Sequence, residues 1–68
     1  MDCLISKRIY ELRKDKNISQ STLAKEIGVT QKAIDFWEKG INEPKASYVM
    51  RLAKFFGVST DYLLGLEN

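Results

Sequence analysis

Four glycines divide the chain into short segments whose apolar residues recur at helical spacing. Gly28, Gly40, Gly57 and Gly65 each stand between two such segments or at the end of one, and glycine commonly follows the last turn of a helix. We therefore predict five helices with short connections: about Cys3 to Lys16, Gln20 to Ile27, Gln31 to Lys39, a fourth that follows the loop with Pro44 and ends at Phe56, and a short fifth after Ser59. Neither an alternating β-branched run nor a hairpin dipeptide is present. The predicted fold is all-α.

Residues suited to helix ends support these boundaries. Ser19, Thr30 and Ser59 can each cap a helix by accepting from a backbone N–H one turn further on. Asn17 tolerates the left-handed conformation that ends many helices. The predicted inward faces are apolar and comprise Ile5, Ile9, Leu12, Leu23, Ala24, Ile27, Val49, Leu52, Ala53 and Phe56.

Length and composition exclude several classes of protein. The 68 residues fit one domain, and a chain this short buries only about 60% of its unfolded surface. With Cys3 as the single cysteine and no histidine, neither an internal disulfide nor a zinc site can form. We expect Cys3 to be half-buried, and we expect no cofactor and no small-molecule ligand.

We expect a cytoplasmic protein, because a single cysteine fits a reducing compartment. No apolar run approaches the roughly 18 residues of a membrane span, and the first residues lack a signal-peptide pattern. The net charge of +2 is too small to identify a partner. Ten of the eleven basic residues lie from Lys7 through Arg51, along the helical body, which is a weak indication of a polyanionic partner.

Residues 20–39, QSTLAKEIGVTQKAIDFWEK, carry the clearest functional pattern. Two short helices joined by a turn with a glycine make a helix-turn-helix unit. Ala24 is small where one helix crosses close over the other, and Gly28 allows the bend. The side chains predicted to lie between the two helices and hold their crossing angle are Leu23, Ile27, Val29, Ile34 and Trp37.

A helical wheel separates the third helix into two faces. Ala33, Ile34 and Trp37 point inward, and the outward residues are Gln31, Lys32, Asp35, Phe36 and Lys39. Glutamine suits bidentate bonding to adenine, and lysine suits guanine O6 and N7. Alternatively, these polar residues are simply solvated. Within a helix-turn-helix we favour base reading, because the N-terminal residues of its second helix contact base edges.

From Ile9 to Leu64 the chain resembles the lambda-repressor and Cro-like helix-turn-helix family, also called the xenobiotic-response-element type. The resemblance rests on ELRKDKNISQSTLA, the turn GVT, the helix end WEKG and the closing LAKFFGVSTDYLL. It implies a compact five-helix domain that places its third helix in the major groove of double-stranded DNA. It also implies a transcriptional regulator, most often a repressor, that binds a palindromic operator as a homodimer.

The family pattern also implies roles for particular residues. Base reading falls to Gln31, Lys32 and Phe36, and phosphate contact to Ser19, Gln20, Lys39, Asn42 and Lys45. Arg13 and Glu38 match a pair that ties the first helix to the end of the recognition helix. The chain departs from the pattern at three places: Ile41 and Asn42 stand where basic residues are common, Lys45 replaces a capping serine, and Phe36 replaces a polar residue.

Two other classes of function compete with DNA binding. An enzyme is not expected, because the chain lacks histidine, a nucleophile beside a base and a phosphate-binding glycine loop; Asp35 and Glu38 are interpreted as surface and ion-pair groups. A protein-interaction module is the stronger rival, since Phe36, Ile41, Phe55 and Tyr62 could be exposed. Around the fifth helix, Phe55, Thr60 and Tyr62 are candidate dimer contacts, with recognition helices about 34–36 Å apart on DNA.

Overall fold

The computed structural model describes residues 3–68 and contains five helices with no strand in that range. The helices are α1 (Ile5–Asp15), α2 (Gln20–Ile27), α3 (Gln31–Lys39), α4 (Ala46–Phe56) and α5 (Thr60–Leu64). This confirms the predicted all-α class and the order of its elements. Only α1 differs, starting two residues later than predicted and ending one residue earlier. None of the helices in residues 3–68 is long and apolar enough to cross a membrane.

Hydroxyl caps begin three of the helices at the predicted residues. The Ser19 Oγ accepts from the Thr22 N–H at 3.0 Å, and the Thr30 Oγ1 accepts from the Ala33 N–H at 3.1 Å. Ser59 caps α5 in the same way. Helix α4 begins after Lys45 without a side-chain cap, as expected where lysine replaces serine. The helix starts are therefore largely set by local chemistry.

One apolar core joins all five helices. Helix α1 packs against α3 and α5, α2 packs against α3 and α4, and α4 also packs against α5. The buried apolar residues are Ile5, Ile9, Leu23, Ala24, Ile27, Ile34, Trp37, Val49, Leu52, Ala53 and Leu63. The predicted inward residues Leu12, Val29, Ala33 and Phe56 are half-buried against this core. One side of α3 therefore packs against the core, and the opposite side faces outward.

The C-terminal residues fold back against α1. The Leu4 N–H donates to the Leu64 carbonyl at 3.4 Å, and Arg8 Nη1 donates to the carbonyls of Tyr62 and Glu67 at 3.0 and 3.2 Å. The Arg8 guanidinium also lies 3.9 Å from the centre of the Tyr62 ring. Both ends of the described chain thus meet on one side of the molecule.

The predicted burial of Cys3 is wrong, and the alternative partner surface is only partly exposed. Cys3 is exposed rather than half-buried, because it precedes α1 instead of lying in its first turn. Of the four side chains that could be exposed in the protein-interaction alternative, Ile41 is exposed, whereas Phe36, Phe55 and Tyr62 are half-buried. Phe55 packs edge-on against Phe56 with ring centres 5.1 Å apart, and Tyr62 lies under Arg8. The partner of Phe55 is thus the next residue of α4, and the partner of Tyr62 comes from α1.

Candidate nucleic-acid interface

Gly28 makes the turn between α2 and α3. Its φ of +89° is left-handed, a conformation open to glycine at little cost. The Gly28 and Val29 N–H groups both donate to the Ala24 carbonyl, at 2.8 and 3.0 Å. From α4, Arg51 Nη1 donates to the Ile27 carbonyl at 3.1 Å. The end of α2 is therefore fixed by backbone hydrogen bonds within the turn and by a side chain of α4.

The two faces of α3 separate as the wheel predicts. Ile34 is fully buried and Trp37 is 5% exposed, with its ring centre 5.8 Å from that of Tyr48. The outward residues divide into two groups. Exposed are Gln31, Lys32 and Lys39, and half-buried are Asp35 and Phe36. Lys32 Nζ lies 5.5 Å from the centre of the Phe36 ring, so Lys32 covers part of that ring.

The structure brings Arg13 and Glu38 together. Arg13 Nε donates to Glu38 Oε2 at 2.6 Å, and Nη2 donates to Oε1 at 3.0 Å. The side chains are only 9% and 5% exposed, and Arg13 Nη1 also donates to the Ile18 carbonyl at 2.8 Å. The hydrogen bond to Glu38 raises the pKa of Arg13 against the opposing effect of burial. A two-pronged ion pair of this kind fixes direction as well as distance, so it links α1 to the end of α3.

Gln20 connects this pair to the start of α3. Its Nε2 donates to Asp35 Oδ1 at 3.2 Å and to Glu38 Oε1 at 3.0 Å, while its Oε1 accepts from Gln31 Nε2 at 3.0 Å. Ionised carboxylates can only accept, so the amide nitrogen of Gln20 must face them. Both of its hydrogens are then used. A phosphate could be met by the backbone N–H of Gln20, but not by its side-chain amide in this arrangement.

Asp35 and Lys39 form an ion pair along α3. Lys39 Nζ lies 2.9 Å from Asp35 Oδ2, with side-chain exposures of 62% for the lysine and 28% for the acid. The hydrogen bond from Lys39, followed by that from Gln20, lowers the pKa of the Asp35 carboxyl. Asp35 is therefore ionised at neutral pH. Lys39, which was predicted to contact a phosphate, is therefore engaged in an ion pair with Asp35.

Ser19, Asn42 and Lys45, the other residues predicted to contact phosphates, are all exposed. Ser19 and Lys45 directly precede α2 and α4, where backbone N–H groups of the first turn are available to an anion. Asn42 lies in the loop between α3 and α4. The set thus occupies two helix starts and one connecting loop.

The candidate dimer contacts do not share one setting. Phe55 lines a groove with Ile27, Lys54 and Arg51, whereas Thr60 lines a different groove with Met50 and Leu64. Tyr62 lies against α1 through Arg8. A dimer surface made from all three would have to extend across several helices.

Sequence reasoning missed the contacts of Gln20. The wheel placed Gln31 and Asp35 on one face of α3, but it said nothing of α2. The signal in the sequence was chemical complementarity: α2 carries the amide of Gln20, and α3 carries an amide and two carboxylates that can bond to it. Whether these side chains meet depends on the angle between the two helices.

The helix-turn-helix family model matches residues 9–63 of the chain. The chain is 36% identical over 63 residues to the HTH-type transcriptional activator BcrR of Enterococcus faecalis, covering 93% of this chain and 31% of the relative. It is 39% identical over 61 residues to repressor protein C2 of Salmonella phage P22, covering 90% of this chain and 28% of the relative. The chain therefore spans about a third of the length of these curated relatives.

A solved structure shows the same likeness. The crystal structure of the P22 c2 repressor in complex with a synthetic operator superposes on this chain with a TM-score of 0.87 at 36% identity. The match covers 93% of this chain and 96% of that chain. The likeness in sequence and the likeness in fold thus indicate the same group of helix-turn-helix proteins.

Proposed function

The chain belongs to the lambda-repressor-like helix-turn-helix family, and from that membership we propose that it binds double-stranded DNA in a sequence-specific manner and regulates transcription. In this proposal α3 enters the major groove, as the second helix of such units does. The observation that carries the proposal is the fixed orientation of the Gln31 amide at the start of α3. Residues 1–68 act as a single DNA-binding domain, with a binding role and not a catalytic one.

The chain of hydrogen bonds behind Gln31 supports adenine as the base it reads. The Gln20 Nε2 donates to the carboxylates of Asp35 and Glu38, which directs the Gln20 Oε1 toward Gln31. Gln31 therefore commits one Nε2 hydrogen to Gln20 and keeps its Oε1 and second hydrogen for a ligand. Adenine offers an N6 amino donor and an N7 acceptor in the major groove, which is the complement of that pair.

The other contacts to bases and phosphates are assigned to residues on the outward side of α2 and α3 and at the start of α4. Lys32 and Phe36 complete the base-reading set. Phosphate contacts fall to Ser19, Gln20 through its backbone, Lys39, Asn42 and Lys45. Lys39 must exchange Asp35 for a phosphate, or share its hydrogens between the two, to make its contact.

We propose that the protein acts in the cytoplasm as a homodimer on a palindromic operator, and that it represses. The relative named as a repressor supports this choice. The relative named as an activator favours activation as the second candidate. A reporter that carries the operator over the promoter or upstream of it distinguishes them: repression requires only occupancy, whereas activation raises transcription from the upstream site.

Selection from a random duplex pool tests the binding proposal. The wild type should enrich one motif with a defined adenine. Gln31→Ala should lose the preference at that base pair, weakening binding to the motif by roughly fivefold to a hundredfold. Glu11→Ala, at an exposed position on α1, is the control and should keep the motif. A wild type that enriches no sequence and binds only weakly and in a salt-sensitive way would contradict sequence-specific binding.

A further inference from the structure

Asp35 occupies the middle of the outward face of α3. It lies one helical turn after Gln31 and one turn before Lys39, so the three side chains form a row along the helix. Among the outward residues Gln31, Lys32, Asp35, Phe36 and Lys39, it is the one acid. Its side chain is 28% exposed, which leaves the carboxylate accessible at the surface that faces DNA in the proposed function.

The carboxylate is held in place from two sides. Gln20 Nε2 donates to Oδ1 at 3.2 Å, and Lys39 Nζ lies 2.9 Å from Oδ2. Each carboxylate oxygen has two acceptor sites, so one remains on each oxygen after these contacts. Because the lowered pKa keeps the group ionised, Asp35 can accept further hydrogen bonds but can donate none.

An acceptor-only group discriminates sharply among base edges in the major groove. Cytosine offers its N4 amino group there and adenine its N6 amino group, whereas guanine O6 and thymine O4 are acceptors. A carboxylate is attracted to the first two edges and repelled by the others. Neither Gln31, which both donates and accepts, nor Lys32, which only donates, makes this distinction.

We propose that Asp35 is a specificity-determining residue that accepts a hydrogen bond from the exocyclic amino group of a cytosine or adenine next to the base read by Gln31, and that it excludes guanine and thymine from that position. The proposal rests on the docking of α3 in the major groove. Gln20 and Lys39 hold the carboxylate in one orientation before DNA is bound, so the discrimination against guanine and thymine needs no rearrangement of Asp35.

A purely structural role for Asp35 makes a different prediction. If the acid served only to hold Lys39 and Gln20, its removal would change the affinity for all duplexes by a similar factor, or weaken the preference at the base pair read by Gln31, which Gln20 orients. Base reading by Asp35 instead predicts a change at the neighbouring base pair, with the preference at the Gln31 base pair kept. The distribution of the effect over sequences therefore separates the two roles.

The test compares wild type, Asp35→Asn and the control Glu11→Gln on the selected site and on its variants with each of the four bases at the proposed position. Both substitutions remove one negative charge, but only Asp35→Asn changes the outward face of α3. The wild type and Glu11→Gln should bind the cytosine or adenine duplex roughly fivefold to a hundredfold better than the guanine and thymine duplexes. Asp35→Asn should bring the guanine and thymine duplexes within about threefold of the cytosine duplex, mainly by tightening binding to the poor duplexes, because an amide can donate to the guanine and thymine oxygens. The adenine duplex does not enter this comparison, because an asparagine can itself bond to adenine N6 and N7.

Removing the amino group from the preferred base gives a second measurement. The analogue is 2-pyrimidinone for cytosine or unsubstituted purine for adenine. It should weaken wild-type binding and leave the binding of Asp35→Ala, which has no acceptor at this position, nearly unchanged. A folded Asp35→Asn with the wild-type base preference, or one that tightens every duplex equally, would overturn the role of Asp35. A wild type with no sequence preference would instead overturn the proposed function itself.

Discussion

Arg13 is 7% exposed, so the desolvation of its guanidinium must be offset by its bonds to Glu38 and Ile18. Arg13→Ala removes those bonds and leaves the Glu38 carboxylate buried with Gln20 as its remaining partner. We expect the free energy of unfolding to fall by about 3 kcal/mol, the range for one lost partner of a buried pair. Denaturant unfolding measures it, and Lys14→Ala, at the exposed neighbouring position, should change stability little.

A double-mutant cycle then tests the pair itself. Arg13→Ala, Glu38→Ala and the double variant should show a coupling energy of at least about 1 kcal/mol, as contacting residues do. Additive losses would mean that the two side chains stabilise the protein through other partners.

Phe36 carries the prediction about a methyl group in the DNA. A phenyl ring can contact the C5-methyl of thymine, and we expect uracil in place of the contacted thymine to weaken wild-type binding by about 1 kcal/mol. Phe36→Ala should bind both duplexes equally. Because Lys32 lies over the ring, the competing outcome is that uracil has no effect and Phe36→Ala alters the preference at the base read by Lys32.

The sequence predicted which residues of the site face outward, but few of their contacts. Helical periodicity alone places Gln31 and Asp35 on the face opposite Ile34. The pairing of Arg13 with Glu38 was implied by the family resemblance, not by spacing. The bonds of Gln20 were missed because side chains on different helices meet only when the crossing angle and rotamers allow it, and one sequence specifies neither.

At the scale of helices, prediction succeeded where the end signals are local. Ser19 and Thr30 cap their helices at the predicted residues because the bond joins groups within one turn. The start of α1 was wrong by two residues because Leu4 stands at its cap position and makes no side-chain bond. Where no capping side chain marks a boundary, the packing of the first turn decides it.

Gly65 and Gly57 form a matched pair that measures the contact of α5 with α1. Both have left-handed φ, +89° and +69°, so alanine costs about 1–2 kcal/mol at either. A Cβ at Gly65 would lie 2.9 Å from Leu4 Cγ, whereas at Gly57 it would meet nothing within 4 Å. We expect Gly65→Ala to lose roughly 1 kcal/mol more, measured by thermal unfolding. Equal losses would show that Leu4 moves aside freely.

At the scale of the whole molecule, the burial of some aromatic rings depends on residues that are distant in the chain. The sequence left open whether Phe55 and Tyr62 are exposed, and each is half-buried. Tyr62 is covered by Arg8, which is 54 residues away in sequence. Such a cover depends on how distant helices assemble, so candidate dimer contacts remain the least predictable part of the site.

The proposed dimer predicts a dependence on the distance between half-sites. Two recognition helices about 34 Å apart match half-sites one turn of DNA apart. Inserting about 5 base pairs, half a turn, places the second half-site on the opposite side of the duplex and should reduce affinity to that of a single half-site. Gel-shift titration measures this. Equal affinity for the intact, spaced and single half-site duplexes would show that the domain binds as a monomer.

The meeting of Leu4 with Leu64 means that the path of the backbone through the fold is nearly a closed ring. Circular permutation is tolerated where chain ends lie close together and the new break falls in an exposed loop. Joining the ends by a linker and opening the ring at the exposed residues 41–43 would give the order α4, α5, α1, α2, α3. Helix α3 would then be the last element of the chain and still be held by Arg13 and Gln20. We expect the permuted protein to present the same α3 surface, because the packing of the helices holds α3 in place and the order in which they are connected does not.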